Sequence, residues 1–128
     1  MSTRKTSRAT ALFESGLRRT FLPALRTASQ GSRLPRDLSA LNEDLEEVLG
    51  LLAVIDEYVG VSNTNMHLRA GIGRTARVLV PWPAEWRWMA AGDASPWFPG
   101  FRVYRQQADG DWNAALTRLH GELAAAAP

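Results

Sequence analysis

The sequence predicts an α/β protein built on a parallel sheet, and three observations carry that prediction. Residues 59–80, VGVSNTNMHLRAGIGRTARVLV, read as strand, short polar turn, short helix and strand. Leu45, Val48, Leu49 and Leu52 follow the i, i+3, i+4, i+7 spacing of one helix face just before them. Trp112, Ala115, Leu116, Leu119 and Leu123 repeat that spacing near the end of the chain. Strands and helices alternating at this interval imply βαβ units and a parallel sheet.

Order is expected from Asp37 onward. Asn42 is a plausible N-cap for the first helix, with Glu43 and Asp44 in its first turn complementing the dipole. Tyr58 to Val61 is a short buried strand. Asn65 to Ile72 is a short helix ending at Gly73, a natural C-terminal signal. Ala76 to Val80 is a second strand, stopped by Pro81 and Pro83. Residues 81–100 form a long loop dense in Trp and Pro, and Phe101 to Arg105 is a third strand. Asp109-Gly110 makes a turn, Asp109 or Asp111 caps the last helix, and Ala124 to Pro128 frays. About three strands are visible, fewer than a sheet covered on both faces normally uses. The expected fold is therefore a partial Rossmann-like parallel sheet with flanking helices.

With 128 residues the chain is one domain by length, and 45% hydrophobic residues suffice for a core. The absence of Cys excludes disulfides and thiolate metal sites. No apolar run approaches a membrane span, and no apolar segment follows the basic start as in a secretory signal. A cytoplasmic location is expected. The net charge of +2 hides an asymmetry: residues 1–36 carry +7 and residues 37–128 carry −5. The high pI belongs to the N-terminal arm.

Residues 1–36 are rich in Ser, Thr and Arg and lack sustained periodicity, so a disordered arm is expected. Ala11 to Leu25 has the apolar residues for a short helix, but Gly16 and Pro23 interrupt it. The alternatives are an organelle transit peptide, a contact with nucleic acid or anionic lipid, and a displaced start codon or frameshift, the last being favoured. Nucleic acid is not the expected partner, because only Phe13 and Phe21 interleave the basic residues.

Four segments in order, VSNTNMHLRAGIG, VLVPWPAEWRWM, SPWFPGFRVYRQ and GDW, resemble one family. It is the C-terminal part of the heptosyltransferase-like glycosyltransferases of GT-B fold, especially the copy that follows tetratricopeptide repeats in bacterial proteins. That family shows Asp-Thr-x-x-x-His-Leu-Ala-Gly after a strand, a Trp-Arg-Trp loop, Ser-Pro-Trp-Tyr-Pro, and an Arg-Gln strand end. The resemblance covers roughly residues 40–125, and its linked Trp-Arg-Trp and Ser-Pro-Trp motifs are the specific part. It implies that residues 37–128 are the donor-binding, C-terminal half of a GT-B-type domain. Ser62 stands where the family has Asp and Asn63 where it has Thr, while His67, Leu68 and Gly73 match. Arg69 and Ala70 replace a small Ala-Gly pair. The Ser62 departure removes a carboxylate. The chain has no room for the acceptor domain, so a truncated relative is implied. Hexosyl or heptosyl transfer would then need a partner domain, and the alternative is a non-catalytic interaction module or remnant.

Candidate site residues follow. Backbone N–H groups at a helix start are unpaired and partly positive, so the turn Ser62-Asn63-Thr64-Asn65 can hold a phosphate. The same residue types are preferred as plain helix caps. His67 is a ligand for donor phosphate or ribose, or a helix-face His bonded to a nearby carbonyl. Trp82, Trp86, Trp88 and Trp97 either stack a base or sugar ring or pin the loop to the core, with Arg87 stacked or paired to Glu85 or Asp93. Arg102 and Arg105 fall on opposite faces of their strand. Arg105, at the strand end, is the better ligand candidate, or else a surface Arg paired with Asp109 or Asp111. The adjacent pairs Glu46-Glu47 and Asp56-Glu57 read as solvated faces. No catalytic residue, metal ligand set or cofactor motif is identified. The expected ligand is a nucleotide-diphosphate sugar, with a protein partner supplying the missing Rossmann-like domain.

Overall fold

The computed structural model describes residues 10–12 and 38–126. Four strands, β1 (Thr10–Leu12), β2 (Glu57–Val61), β3 (Arg77–Val80) and β4 (Arg102–Arg105), form one sheet in the order β1-β2-β3-β4, every pair parallel. The helices among the described residues are α1 (Leu45–Val54), α2 (Thr64–Gly71) and α3 (Asn113–Ala126). Short 3-10 turns occupy Ser39–Glu43 and Trp86–Trp88. No helix among the described residues is long and apolar enough to cross a membrane.

The α/β expectation holds, with one strand more than the three the sequence displays. That strand lies in the basic arm, where disorder or a short helix was expected. Thr10, Ala11 and Leu12 pair with Glu57, Tyr58 and Val59. Backbone pairing with an edge strand needs no side-chain periodicity, so composition hides it. The other expectations for the arm concern residues outside those described.

Period-two alternation divides the core between the two sheet faces. On one face Tyr58, Val78, Val80 and Val103 pack with Val48 and Leu52 of α1, Met66 of α2, and Trp88, Phe98 and Phe101 of the long loop. On the other, Val59, Leu79 and Tyr104 pack with Ala115 and Leu119, and Trp112, Leu116 and Leu123 close around them. The apolar stripe expected for the last helix is thus the one that docks it.

Asp44, not Asn42, caps α1. Its carboxylate accepts from the N–H of Glu46 at 2.9 Å and of Glu47 at 3.1 Å. Residues 39–43 turn tightly first, and the Asp44 N–H closes that turn on the Leu41 carbonyl. Leu45, expected on the buried stripe, is exposed, one turn ahead of Val48, the first α1 residue in the core. Asp111, expected as a cap of the last helix, lies one residue before the capping position: its side chain accepts from the Asn113 N–H at 2.9 Å, while the Trp112 carbonyl takes the first helical bond, from Leu116.

Arg69 is the unexpected core residue, 1% exposed on α2. Its guanidinium donates to main-chain oxygens of Leu52, Ile55 (2.9 Å), Asp56 (3.1 Å) and Thr75 (2.8 Å). It thereby joins the end of α1 to the segment entering β3. Burial holds its pKa below the ordinary arginine value.

Under α3 lies a charged cluster. Arg77 meets Glu57 at 3.2 Å and Glu122 at 3.1 Å, and donates to the Tyr104 hydroxyl at 2.7 Å. That hydroxyl donates to Glu122 at 2.6 Å. Arg118 lies over the Tyr104 ring, 4.4 Å from its centroid, and reaches Glu122 at 3.3 Å. Glu57, read as a solvated carboxylate, is part of this cluster.

Strand β4 is at the border of the sheet. Arg102 and Gln106 turn their N–H groups to the carbonyls of Ala76, just before β3, and of Val80, its last residue. Val103 therefore turns its polar groups outward. Its N–H donates to the Asp93 carbonyl at 2.9 Å, and its carbonyl accepts from Arg118 at 2.6 Å.

Candidate functional site

The site gathers at the carboxyl ends of β2 and β3, where parallel sheets hold their ligands. Strand β2 ends at Val61, and Ser62 and Asn63 lead directly into α2. Asn63 is the N-cap: its side chain accepts from the Asn65 N–H at 3.1 Å, and its carbonyl accepts from the Met66 N–H at 3.1 Å. Two donors of the first turn are therefore engaged within the chain. Asn65 is buried, and its amide donates to Asn42 at 3.1 Å. Asn63 and Asn65, both expected at a phosphate, thus hold the turn in place. Ser62 is half-buried and Thr64 is exposed.

His67 lies three residues into α2, about 4.5 Å along the axis from Thr64. Its imidazole packs edge-on to Phe98, with centroids 5.2 Å apart. Its ring nitrogens have no hydrogen-bond partner among the described residues, so it does not bond a neighbouring carbonyl. It lines a cleft of about 300 Å³ with Ala70, Trp86, Arg87, Trp97 and Phe98.

The tryptophan loop, residues 81–101, divides its aromatic residues between two tasks. Trp88 is fully buried and stacks on Phe98 at 4.5 Å, so it anchors the loop. Trp86 and Trp97 are 63% and 60% exposed, and their rings meet at 84° with centroids 5.4 Å apart. Trp82 is also exposed but lies outside the cleft lining. Arg87 does both things expected of it. It pairs with Glu85 at 2.9 Å and lies over Trp86 at 4.8 Å.

Three side chains hold the loop in shape. Ser95 is buried; its hydroxyl donates to the Arg87 carbonyl at 2.5 Å and accepts from the Trp97 N–H at 3.2 Å. Gln106 accepts from the Trp82 N–H at 2.9 Å. Arg105 donates to the carbonyls of Trp88, Met89 (2.7 Å), Ala91 (3.2 Å) and Gly92 (2.7 Å). Arg105 is a loop contact and pairs with neither Asp109 nor Asp111. Met89 takes φ +63°, ψ 168°, a conformation that side chains rarely adopt. Gly100, at φ +81°, ends the loop where a Cβ would come within 2.7 Å of a Thr75 methyl.

Sequence reasoning missed Arg69 and Ser95. Neither has a charged partner in sequence to reveal it, because both act on main-chain groups. No group of His, Asp and Glu side chains among the described residues has the arrangement of a metal site. No protein-family model, curated protein or solved structure matches the chain.

Proposed function

We propose that this chain is the donor-binding part of a glycosyltransferase-like protein and takes a nucleotide-diphosphate sugar. One observation carries the reading. His67, one turn into the helix that begins at the end of β2, opens on a cleft walled by Trp86, Arg87 and Trp97. A helix start and a ring-lined cleft side by side offer an anion and a ring their separate partners. The Ser-Asn-Thr-Asn, Trp-Arg-Trp and Ser-Pro-Trp segments support it through their resemblance to that family.

In this reading the hydroxyls of Ser62 and Thr64 and the His67 imidazole face the diphosphate. Donors aimed at the leaving diphosphate would stabilise its charge as the sugar departs. In this reading the base for an acceptor comes from a second Rossmann-like domain, supplied by a partner. A cytoplasmic setting belongs to the same proposal.

Isothermal titration with nucleoside diphosphates and nucleotide-sugars tests it. Thr64→Val and His67→Ala are suitable controls, since both residues are exposed; Asn63→Ala is not, since it removes the helix cap. Binding weakened by both substitutions is the expected result. No binding by a demonstrably folded chain overturns the reading.

A second reading has its own observation. Trp82, Trp86, Trp97 and Met89 leave large apolar surfaces exposed on one loop. A non-catalytic interaction module, as a remnant of a tetratricopeptide-repeat glycosyltransferase, would use them against protein. Sedimentation velocity of the chain alone and with a candidate partner tests that reading, and a monomer unchanged by every such addition counts against it.

A further inference from the structure

We propose that the tryptophan loop is a membrane-docking surface, with Trp82, Trp86, Met89 and Trp97 entering the headgroup region of an anionic lipid bilayer. The proposal goes beyond the donor reading and does not rest on it.

The exposed apolar surface is concentrated on this loop. Those four residues are half of the large hydrophobic side chains exposed among the described residues, and all lie within residues 81–101. An apolar patch of this kind marks a surface that meets something apolar. The residue type selects what it meets. Indole has an apolar body and one N–H, so tryptophan settles at the boundary between hydrocarbon and headgroups, where the body is dry and the N–H is wet. Trp82 lies outside the cleft that Trp86 and Trp97 line, so the rings do not gather in one groove shaped for a protein side chain. A fluid surface needs no matching shape.

The loop is also cheap to bring into that layer. Its charged residues are Glu85, Arg87 and Asp93. Glu85 and Arg87 are paired at 2.9 Å, with the guanidinium over Trp86, which leaves Asp93 as the charge without an ion pair among the described residues. Ser95 and Arg105 already fix the loop backbone, so insertion does not have to order it.

The chain tethers cations at the same end of the sheet. Strands β1, β2 and β3 are parallel, so Leu12 and Val80 leave the sheet at one end. The tryptophan loop follows Val80. Residues 13–37 follow Leu12 and hold five Arg against Glu14 and Asp37, a net +3. They return at Leu38, just before the turn whose Asn42 accepts from Asn65 at the start of α2, again at that end. Residues 38–128 hold seven Arg against eleven acids, a net −4, and alone would be repelled by an anionic surface. The tethered Arg residues offset that repulsion, and the rings supply the apolar contact. Surface binding of this kind takes both signals together.

Co-sedimentation of the full chain with lipid vesicles, without nucleotide, tests the proposal. Vesicles of phosphatidylcholine alone are compared with vesicles that also contain phosphatidylglycerol. Binding to the mixed vesicles is expected, and it should fall as salt is added. Indole fluorescence should shift to shorter wavelength and be quenched by brominated lipid. Trp82→Ala combined with Trp97→Ala should weaken binding about tenfold, since each ring contributes apolar area to the contact. Trp82→Ala alone should weaken it in part, although Trp82 is no part of the cleft. Val54→Ser, exposed at the opposite end of the sheet just before β2, should leave it unchanged. A folded chain that ignores both kinds of vesicle overturns the proposal and leaves the exposed rings to the protein-partner reading. So does equal binding to neutral vesicles, binding with the indoles unquenched, or full binding by the folded double variant. No nucleotide enters this assay, so its failure and the failure of the donor reading are told apart.

Discussion

Arg105 Nε donates to the Gly92 carbonyl at 2.7 Å, across thirteen residues of the tryptophan loop. The same guanidinium reaches the carbonyls of Trp88, Met89 and Ala91. A side chain at the carboxyl end of a strand, where a ligand contact is expected, therefore secures the wall of the cleft instead. Arg105→Ala should lower stability by about 1–3 kcal/mol, the range for losing charged hydrogen bonds that water replaces in part. Urea unfolding measures this. Arg105→Lys should recover only part of the loss, because an ammonium cannot reproduce the planar fork that spans several carbonyls.

Arg69 makes the same kind of contact in a drier place. Arg69→Leu would strand the buried carbonyls of Leu52 and Ile55 and remove the bonds to Asp56 and Thr75 at the edge of the core. A loss of about 3 kcal/mol or more is expected. Arg69→Lys should not rescue it. The unfolding midpoints of both variants check this, and a wild-type midpoint for Arg69→Leu would show that the guanidinium is dispensable.

The Glu122 cluster makes stability depend on pH. The Tyr104 hydroxyl donates to Glu122 and holds its carboxyl below the usual range; Arg118, Arg102 and Arg77 act in the same sense, and burial opposes them. A carboxyl depressed in the folded state stabilises the fold above its unfolded value, about 4.3, and that contribution disappears as pH falls through the folded value. Tyr104 is raised, first by burial and then by its bond to Glu122. Its contribution is complete below about 10 and is lost as the solution becomes more alkaline. Urea midpoints should hold level between these limits and drop on both sides. Glu122→Gln should lower the plateau and flatten the acid limb, and an acid limb unchanged by that substitution would remove Glu122 from the explanation.

Met89 offers a test in the opposite direction. At φ +63° and ψ 168° its backbone lies where glycine is at ease and other residues are strained. Its side chain is 42% exposed, so little packing is lost on removing it. Met89→Gly should therefore stabilise the protein by about 1 kcal/mol, read as a rise in the midpoint of thermal unfolding.

The elements that sequence revealed are those with a period or a stop signal of their own. The stripe Trp112 to Leu123 repeats on one helix face, and it is what packs on Leu79 and Tyr104. Pro81 ends β3 after Val80 as its missing N–H requires. The strand at Thr10–Leu12 had no such signal, being three residues in an Arg- and Ser-rich stretch. Arg69 and Arg105 were hidden for another reason. Their acceptors are main-chain oxygens, which every residue carries and no sequence distinguishes. The cleft was half legible. Its rings were conspicuous, but Trp88 went to the core while Trp86, two residues earlier in the same 3-10 turn, stayed outside.

Val103 carries a consequence for how molecules of this protein meet in solution. An unblocked border strand invites edge-to-edge polymerisation, since any second strand finds a row of free donors and acceptors. At Val103 both are taken, one by Asp93 and one by Arg118. An incoming strand must evict a loop and a helix side chain before it can pair there. Asp93 and Arg118 thus act as gatekeepers against aggregation on that flank, a protective role separate from anything the cleft binds.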